Sequence, residues 1–258
     1  MENDDPIMVC RVSPPDRRRR HGVAYIGATI LVAIGMIVIG RAPAASAAES
    51  CSNSNSPNDH CYAISIASGP ANYGGYGELY INCLYMPDNG YRVSNEIWDV
   101  SSSGTDWTEV GVISGTAYSG RYYSKEWYWA DSRPSGGSYH EHEIGSTANT
   151  GTVYPVETTY VGDNTWDIYG GNSFTKIGVS TSQPESSSGS SEFGTEYTAP
   201  SGNGMRDIGT VYSNEWESSN GDWHSEGSLA RAVEGGPGAY ISPSYNSSSS
   251  YVDWSGPC

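Results

Sequence analysis

The chain has 258 residues with 29 Asp/Glu against 13 Lys/Arg, a formal net charge of −16. So acidic a surface repels nucleic acid and anionic lipid and argues for a soluble, non-nucleic-acid-binding protein. Twenty Tyr, 8 Trp and 32 Gly beside 2 Phe, and no amphipathic helical stretch, favour strands and turns over helices.

The N-terminus reads as a targeting segment over residues 1–48. Four arginines, Arg17 to Arg20, precede an uncharged apolar run of 19 residues from Gly22 to Gly40. Small residues at Ala45 and Ala47 then suit cleavage by a signal peptidase. The run is close to the roughly 20 residues that span a bilayer, so a retained anchor helix over 22–40 is the alternative. In either case the remainder, 49–258, is expected outside the cytoplasm, touching a membrane only through its N-terminal segment. Without the leader the chain holds 7 basic and 25 acidic side chains, a net charge of −18.

Cysteine usage agrees with export. Cys10 falls in the leader and leaves an even set, Cys51, Cys61, Cys83 and Cys258. An oxidising compartment pairs such a set. Three connectivities exist; Cys61–Cys83 with Cys51–Cys258 is the one expected, because Cys61 and Cys83 sit in strand-like segments joined by a Gly-rich stretch.

About a dozen short strands follow in order: 61–68, 78–85, 91–100, 107–114, 122–130, 139–144, 153–161, 165–170, 174–181, 192–199, 207–216, 222–229 and an end near 239–244. Glycine-rich 69–77 and serine-rich 185–191 and 246–250 read as loops. The fold class expected is all-β, a two-sheet antiparallel sandwich or jelly roll in one domain, preceded by one hydrophobic N-terminal helix. One internal echo occurs, SNEIWDVSSSGTDW (94–107) and SNEWESSNGDW (213–223), read as the same turn chemistry used twice.

The strand period of 2 sorts side chains by face. Trp107, Glu109 and Gly111 share one face; Lys125, Trp127 and Trp129 share one; Glu192, Gly194 and Glu196 share another. If these faces coincide, a sheet presents indoles beside carboxylates, suited to sugar C–H faces or peptide side chains. Trp107, Trp127 and Trp129 are then the binding candidates. HEHE (140–143) puts His140 and His142 on one face, as two metal ligands stand, but Gly145 and Ser146 occupy the stretch where a third would follow. It reads as a polar strand, and no metal or cofactor is expected.

WTEVG, WYWADSRP, EFGTEYT and GMRDIGTVY, in that order over roughly residues 93–216, resemble the layout of glutamic peptidases of the eqolisin kind. More loosely they are similar to neprosin-type relatives and concanavalin-like jelly rolls. The resemblance implies a catalytic pair at Glu109 and either Glu192 or Glu196. Eqolisins carry Gln at the first of these positions, whereas neprosin-type relatives use two Glu. Two acids held together divide the work, one keeping its proton while the other acts as base.

Three readings follow from the residues. The first is a secreted β-sandwich that binds an extracellular glycan or cell-surface polymer on an aromatic and carboxylate face. The second is a secreted acid hydrolase of the glutamic-peptidase type; the third is an inert envelope protein. The partner is an extracellular polysaccharide or protein, and the chain is expected to be a monomer.

Overall fold

The computed structural model describes residues 61–68, 72–87, 90–101, 106–132, 139–181, 189–198, 206–225, 230–234, 244–247 and 250–254. The leader, its cleavage site and the anchor alternative lie outside the described residues, as do Cys51 and Cys258.

The strands are β1 (Cys61–Ser68), β2 (Gly74–Tyr85), β3 (Arg92–Val100), β4 (Trp107–Thr116) and β5 (Tyr122–Ser132). Next come β6 (Tyr139–Thr147), β7 (Thr152–Gly162), β8 (Thr165–Gly170), β9 (Thr175–Thr181) and β10 (Ser190–Tyr197). The last are β11 (Arg206–Glu217), β12 (Trp223–Ser225), β13 (Ala230–Glu234), β14 (Ser244–Ser247) and β15 (Ser250–Trp254). They form two antiparallel sheets. One has the order β13-β1-β10-β3-β4-β5-β6, the other β14-β15-β11-β2-β7-β8-β9, with β12 on β11. The described part is therefore the all-β two-sheet sandwich that the sequence pattern predicts. Each copy of the SNE echo is a hairpin, β3–β4 in one sheet and β11–β12 in the other.

Leu79, Ile81, Val93, Ile97, Val110, Val112, Trp127, Val156, Ile168 and Phe193 fill the space between the sheets. Full burial contributes about 1.5–3 kcal/mol for each Val, Leu, Ile or Phe. Two aspartates tie the layers together within this apolar interior. Asp99 on β3 accepts hydrogen bonds from Thr158 of the opposite sheet and from Ser191. Asp131 on β5 accepts from Ser180 of β9 at 2.6 Å.

Residues 74–77, expected as loop, begin β2 instead. Gly75 and Gly77 face inward at positions where side chains are excluded: a Cβ on Gly77 would stand 2.9 Å from Val211. Glycine here permits close packing of the sheets, which a sequence reading takes for a turn signal. Cys61 and Cys83 consequently lie in different sheets, on β1 and β2. Cys83 is disulfide-bonded; its partner and the Cys61 side chain fall outside the described residues.

Candidate active site

The hydrogen-bond register of the seven-stranded sheet fixes which side chains share its outer face, the one turned away from the opposite sheet. Cross-strand partners point the same way. One row runs Ile66, Glu192, Trp98, Glu109, Ala130, Glu141 across β1, β10, β3, β4, β5 and β6. The next runs Ile64, Gly194, Glu96, Gly111, Tyr128, Glu143. A third places Glu196 opposite Ser94.

Glu96 and Glu109 are thus diagonal neighbours, about 7–8 Å apart between backbones and within reach of each other's long side chains. Gly111, opposite Glu96, makes this arrangement fit: a Cβ there would collide with Glu96 and with the Asn95 carbonyl. Glu96 is 0% exposed and Glu109 2% exposed.

The carboxylates differ in the donors that reach them. Glu141 receives three: the Tyr118 backbone N–H at 2.7 Å, the Tyr139 hydroxyl at 2.9 Å and the Arg92 guanidinium at 3.2 Å. Glu109 receives two, from the Trp107 indole N–H at 2.9 Å and the Tyr139 hydroxyl at 2.8 Å. Tyr139 has one hydroxyl hydrogen, so Glu109 and Glu141 share it. Among the described residues Glu96 accepts from the Ser94 hydroxyl alone, at 2.8 Å, and its Oε2 is buried with no partner.

This gradient sets the protonation order. Burial, reinforced by the Glu109 charge, holds Glu96 well above the ordinary carboxylate range. Burial also raises Glu109, but the hydrogen bond from Tyr139 and the charge of Arg92 oppose it, leaving it at about 6. Burial and the flanking carboxylates push the Tyr139 phenol well above 10, so it remains a donor. Glu96 is thus driven toward its protonated form more strongly than Glu109.

The β4–β5 turn packs against the same face. Ala117 joins Ile113, Tyr128 and Ala130 in a small apolar cluster, and the Tyr118 ring meets Tyr139 edge-on at 5.4 Å. Glu96 and Glu109 are closed off from solvent in this arrangement.

Sequence-derived candidates divide between this face and the interior. Trp107 and Glu109 lie on it and bond to each other. Glu192 and Glu196 lie on it too, but Glu192 is two strands from Glu109, roughly 9.5 Å between backbones, with Trp98 on the strand between. Glu196 stands near Arg92, whose Nη2 is 3.9 Å from its Oε1. The pair that the resemblance implies is thus not brought together; Glu96 stands beside Glu109 in its place. Trp127 and Trp129 do not share the carboxylate face. They alternate to the inner side, where Trp127 is 0% exposed and Trp129 7%. Trp129 lies against Gly178 and stacks on His142 at 3.9 Å. An indole face suited to a ligand is therefore absent at those two positions, because packing between the sheets has claimed them. His140 turns to Asp131 at 3.1 Å; among the described residues no three His, Cys, Asp or Glu converge as metal ligands.

Glu96, Glu141, Tyr139 and Arg92 were not singled out from sequence. A usable signal existed: Ser94, Glu96 and Trp98 alternate on β3 as Trp107, Glu109 and Gly111 do on β4.

The molecule thus belongs to the class of jelly-roll-type sandwiches carrying a buried carboxyl cluster on the outer face of one sheet. Its fold is similar to that of scytalido-glutamic peptidase in complex with a transition state analog inhibitor, with a TM-score of 0.52 and 11% identity over 75% of this chain and 98% of that one. It is similar also to SCP-B, a member of the eqolisin family of peptidases, in a complex with the tripeptide Ala-Ile-His (TM-score 0.51, 11% identity, 74% and 96% coverage). A carbohydrate-binding module from Bacillus subtilis aligns at a TM-score of 0.33 and 11% identity over 53% of this chain and 80% of that one, too slight a likeness to argue from. No family model matches the sequence, and no curated protein matches it. At these identities the likeness shows the fold.

Proposed function

We propose that the protein is an exported hydrolase of the glutamic-peptidase type, with Glu109 as general base and then proton donor to the leaving group, and protonated Glu96 as hydrogen-bond donor to the developing oxyanion. The observation that carries this reading is the uneven supply of donors to adjacent buried carboxyls. Glu109 is held by two donors, whereas Glu96 has one and keeps a buried, unpartnered Oε2. Such a pair is poised in opposite protonation states, as hydrolysis of an unactivated carbonyl requires.

In the proposed reaction the Glu109 carboxylate removes a proton from water as its oxygen bonds to the carbonyl carbon. The Glu96 O–H donates a hydrogen bond to the carbonyl oxygen as it gains negative charge. Collapse of the tetrahedral intermediate breaks the C–N bond, and the proton held on Glu109 passes to the leaving nitrogen. Arg92, Glu141 and Tyr139 act as positioning residues that hold Glu109. The face must open for substrate to reach either acid.

The glycan-binding reading keeps less support, since Trp127 and Trp129 pack between the sheets and the Trp107 N–H is committed to Glu109. The full chain incubated with denatured protein and with soluble polysaccharides over pH 3–9 distinguishes the readings. Peptide-bond cleavage is expected to rise as Glu109 ionises near pH 6 and to fall where Glu96 loses its proton. Glu109→Gln and Glu96→Leu, which lacks a hydrogen-bond donor, should each abolish it without lowering the unfolding midpoint. Cleavage that survives both substitutions, or polysaccharide retention without any cleavage, would overturn the proposal.

A further inference from the structure

Glu192 is one of the acids on the carboxylate face, with Glu143 and Glu196, that the proposed reaction leaves unused. It is half-buried and accepts one described hydrogen bond, from the Ser190 hydroxyl at 2.8 Å. Arg92 is engaged elsewhere on the face, its guanidinium pairing with Glu141 at 3.2 Å and standing 3.9 Å from Glu196. Glu192 has no base of its own among its described contacts. Its row neighbours are apolar, Ile66 on β1 to one side and Trp98 on β3 to the other. Next along β10 on the same face is Gly194, which adds no side chain.

A carboxylate set between an aliphatic side chain and an indole suits one chemistry above others. A lysine or arginine side chain lays its methylene stem on apolar walls and brings its cationic head to the acid. A neutral side chain would leave the half-buried carboxylate unpaired, and an acidic one would be repelled. Since Glu192 shares its row with Glu109, a polypeptide laid along that row meets both once the face opens over Trp98.

We propose that Glu192, flanked by Ile66 and Trp98, determines specificity by accepting a Lys or Arg side chain of the polypeptide substrate; this rests on the peptidase reading and extends it. The test measures binding separately from cleavage. Peptides of one length, differing at a single position as Lys, acetyl-lysine, norleucine or Glu, are titrated into the full chain carrying Glu109→Gln, and binding is followed calorimetrically. The Lys peptide should bind about tenfold more tightly than the norleucine and acetyl-lysine peptides, between the few-fold effect of an exposed ion pair and the larger effect of a buried one. Glu192→Gln should erase that preference, and Glu192→Lys should transfer it to the Glu peptide. Equal binding of Lys and acetyl-lysine peptides with Glu192 intact overturns the proposal without recourse to any further variant. So does a Lys preference that survives Glu192→Gln, or failure of every peptide to bind. Should the preference appear while the unsubstituted protein cleaves none of these peptides, the catalytic reading fails and the cation slot stands.

Discussion

Asp99 offers the sharpest quantitative test of how this sandwich is held together. Its carboxyl lies between the sheets, 4% exposed, taking hydroxyl hydrogen bonds from Thr158 and Ser191 and a backbone hydrogen bond from Gly75. Burial outweighs these donors and raises the group from its ordinary 3.8 to about 7. An acid whose folded-state value is raised favours folding in its protonated form. Its contribution is complete below pH 3.8, declines as pH rises, and is lost once pH passes about 7. Across that interval each pH unit costs about 1.4 kcal/mol, so full ionisation costs about 4 kcal/mol. Asp99→Asn keeps the shape and removes the titration. Urea unfolding followed by tryptophan fluorescence at pH 4, 5, 6, 7 and 8 should show the substituted protein losing less stability with rising pH. The gap between the two curves should widen by about 4 kcal/mol from pH 4 to pH 8 in favour of Asn. Parallel curves would mean that Asp99 is not held neutral between the sheets, and the account of its burial would be wrong.

The site makes two more demands. Tyr139→Phe removes the hydroxyl that steadies the ionised Glu109, so the rising limb of the pH–rate profile should move up by about one pH unit; an unmoved limb would detach Tyr139 from Glu109. Gly111→Ala forces a methyl into Glu96 and the Asn95 carbonyl, and should lower the unfolding free energy by about 1–3 kcal/mol, measured by denaturant titration. A neutral result would mean that Glu96 does not need the space Gly111 leaves.

Strand positions were legible because Val, Thr, Tyr and Trp alternate with polar residues between clear turn signals; β1 and β8 match their expected bounds. Which face turned inward was not. On β5, Trp127 and Trp129 alternate with Glu126 and Tyr128, and all four are buried. Period 2 separates the two faces of a strand but cannot rank them when both are covered. The same limit hid the acid pair. Glu96 and Asp99 are three residues apart on β3 and therefore point to opposite faces, one into the carboxyl cluster and one between the sheets. Only the register of β3 against β4 places Glu96 beside Glu109, and register is a long-range property. Strands β13 to β15 escaped notice because their short serine-rich or mixed sequences lack a strong apolar rhythm.

The β4–β5 turn carries one further consequence. Gly115, at φ +115°, and Lys125, at φ +55°, bend the hairpin end. It reaches past its own strands, so that the Tyr118 N–H and the Ser119 hydroxyl bond to Glu141 and Glu143 of β6. Strand β6 closes the seven-stranded sheet, and a terminal strand ordinarily offers its open ladder to any passing chain. Here it is strapped from one side by that turn and pinned from the other by His140 on Asp131 and His142 on Trp129. The HEHE run that invites a metal-binding reading thus anchors the border strand of this sheet to its neighbours from both faces.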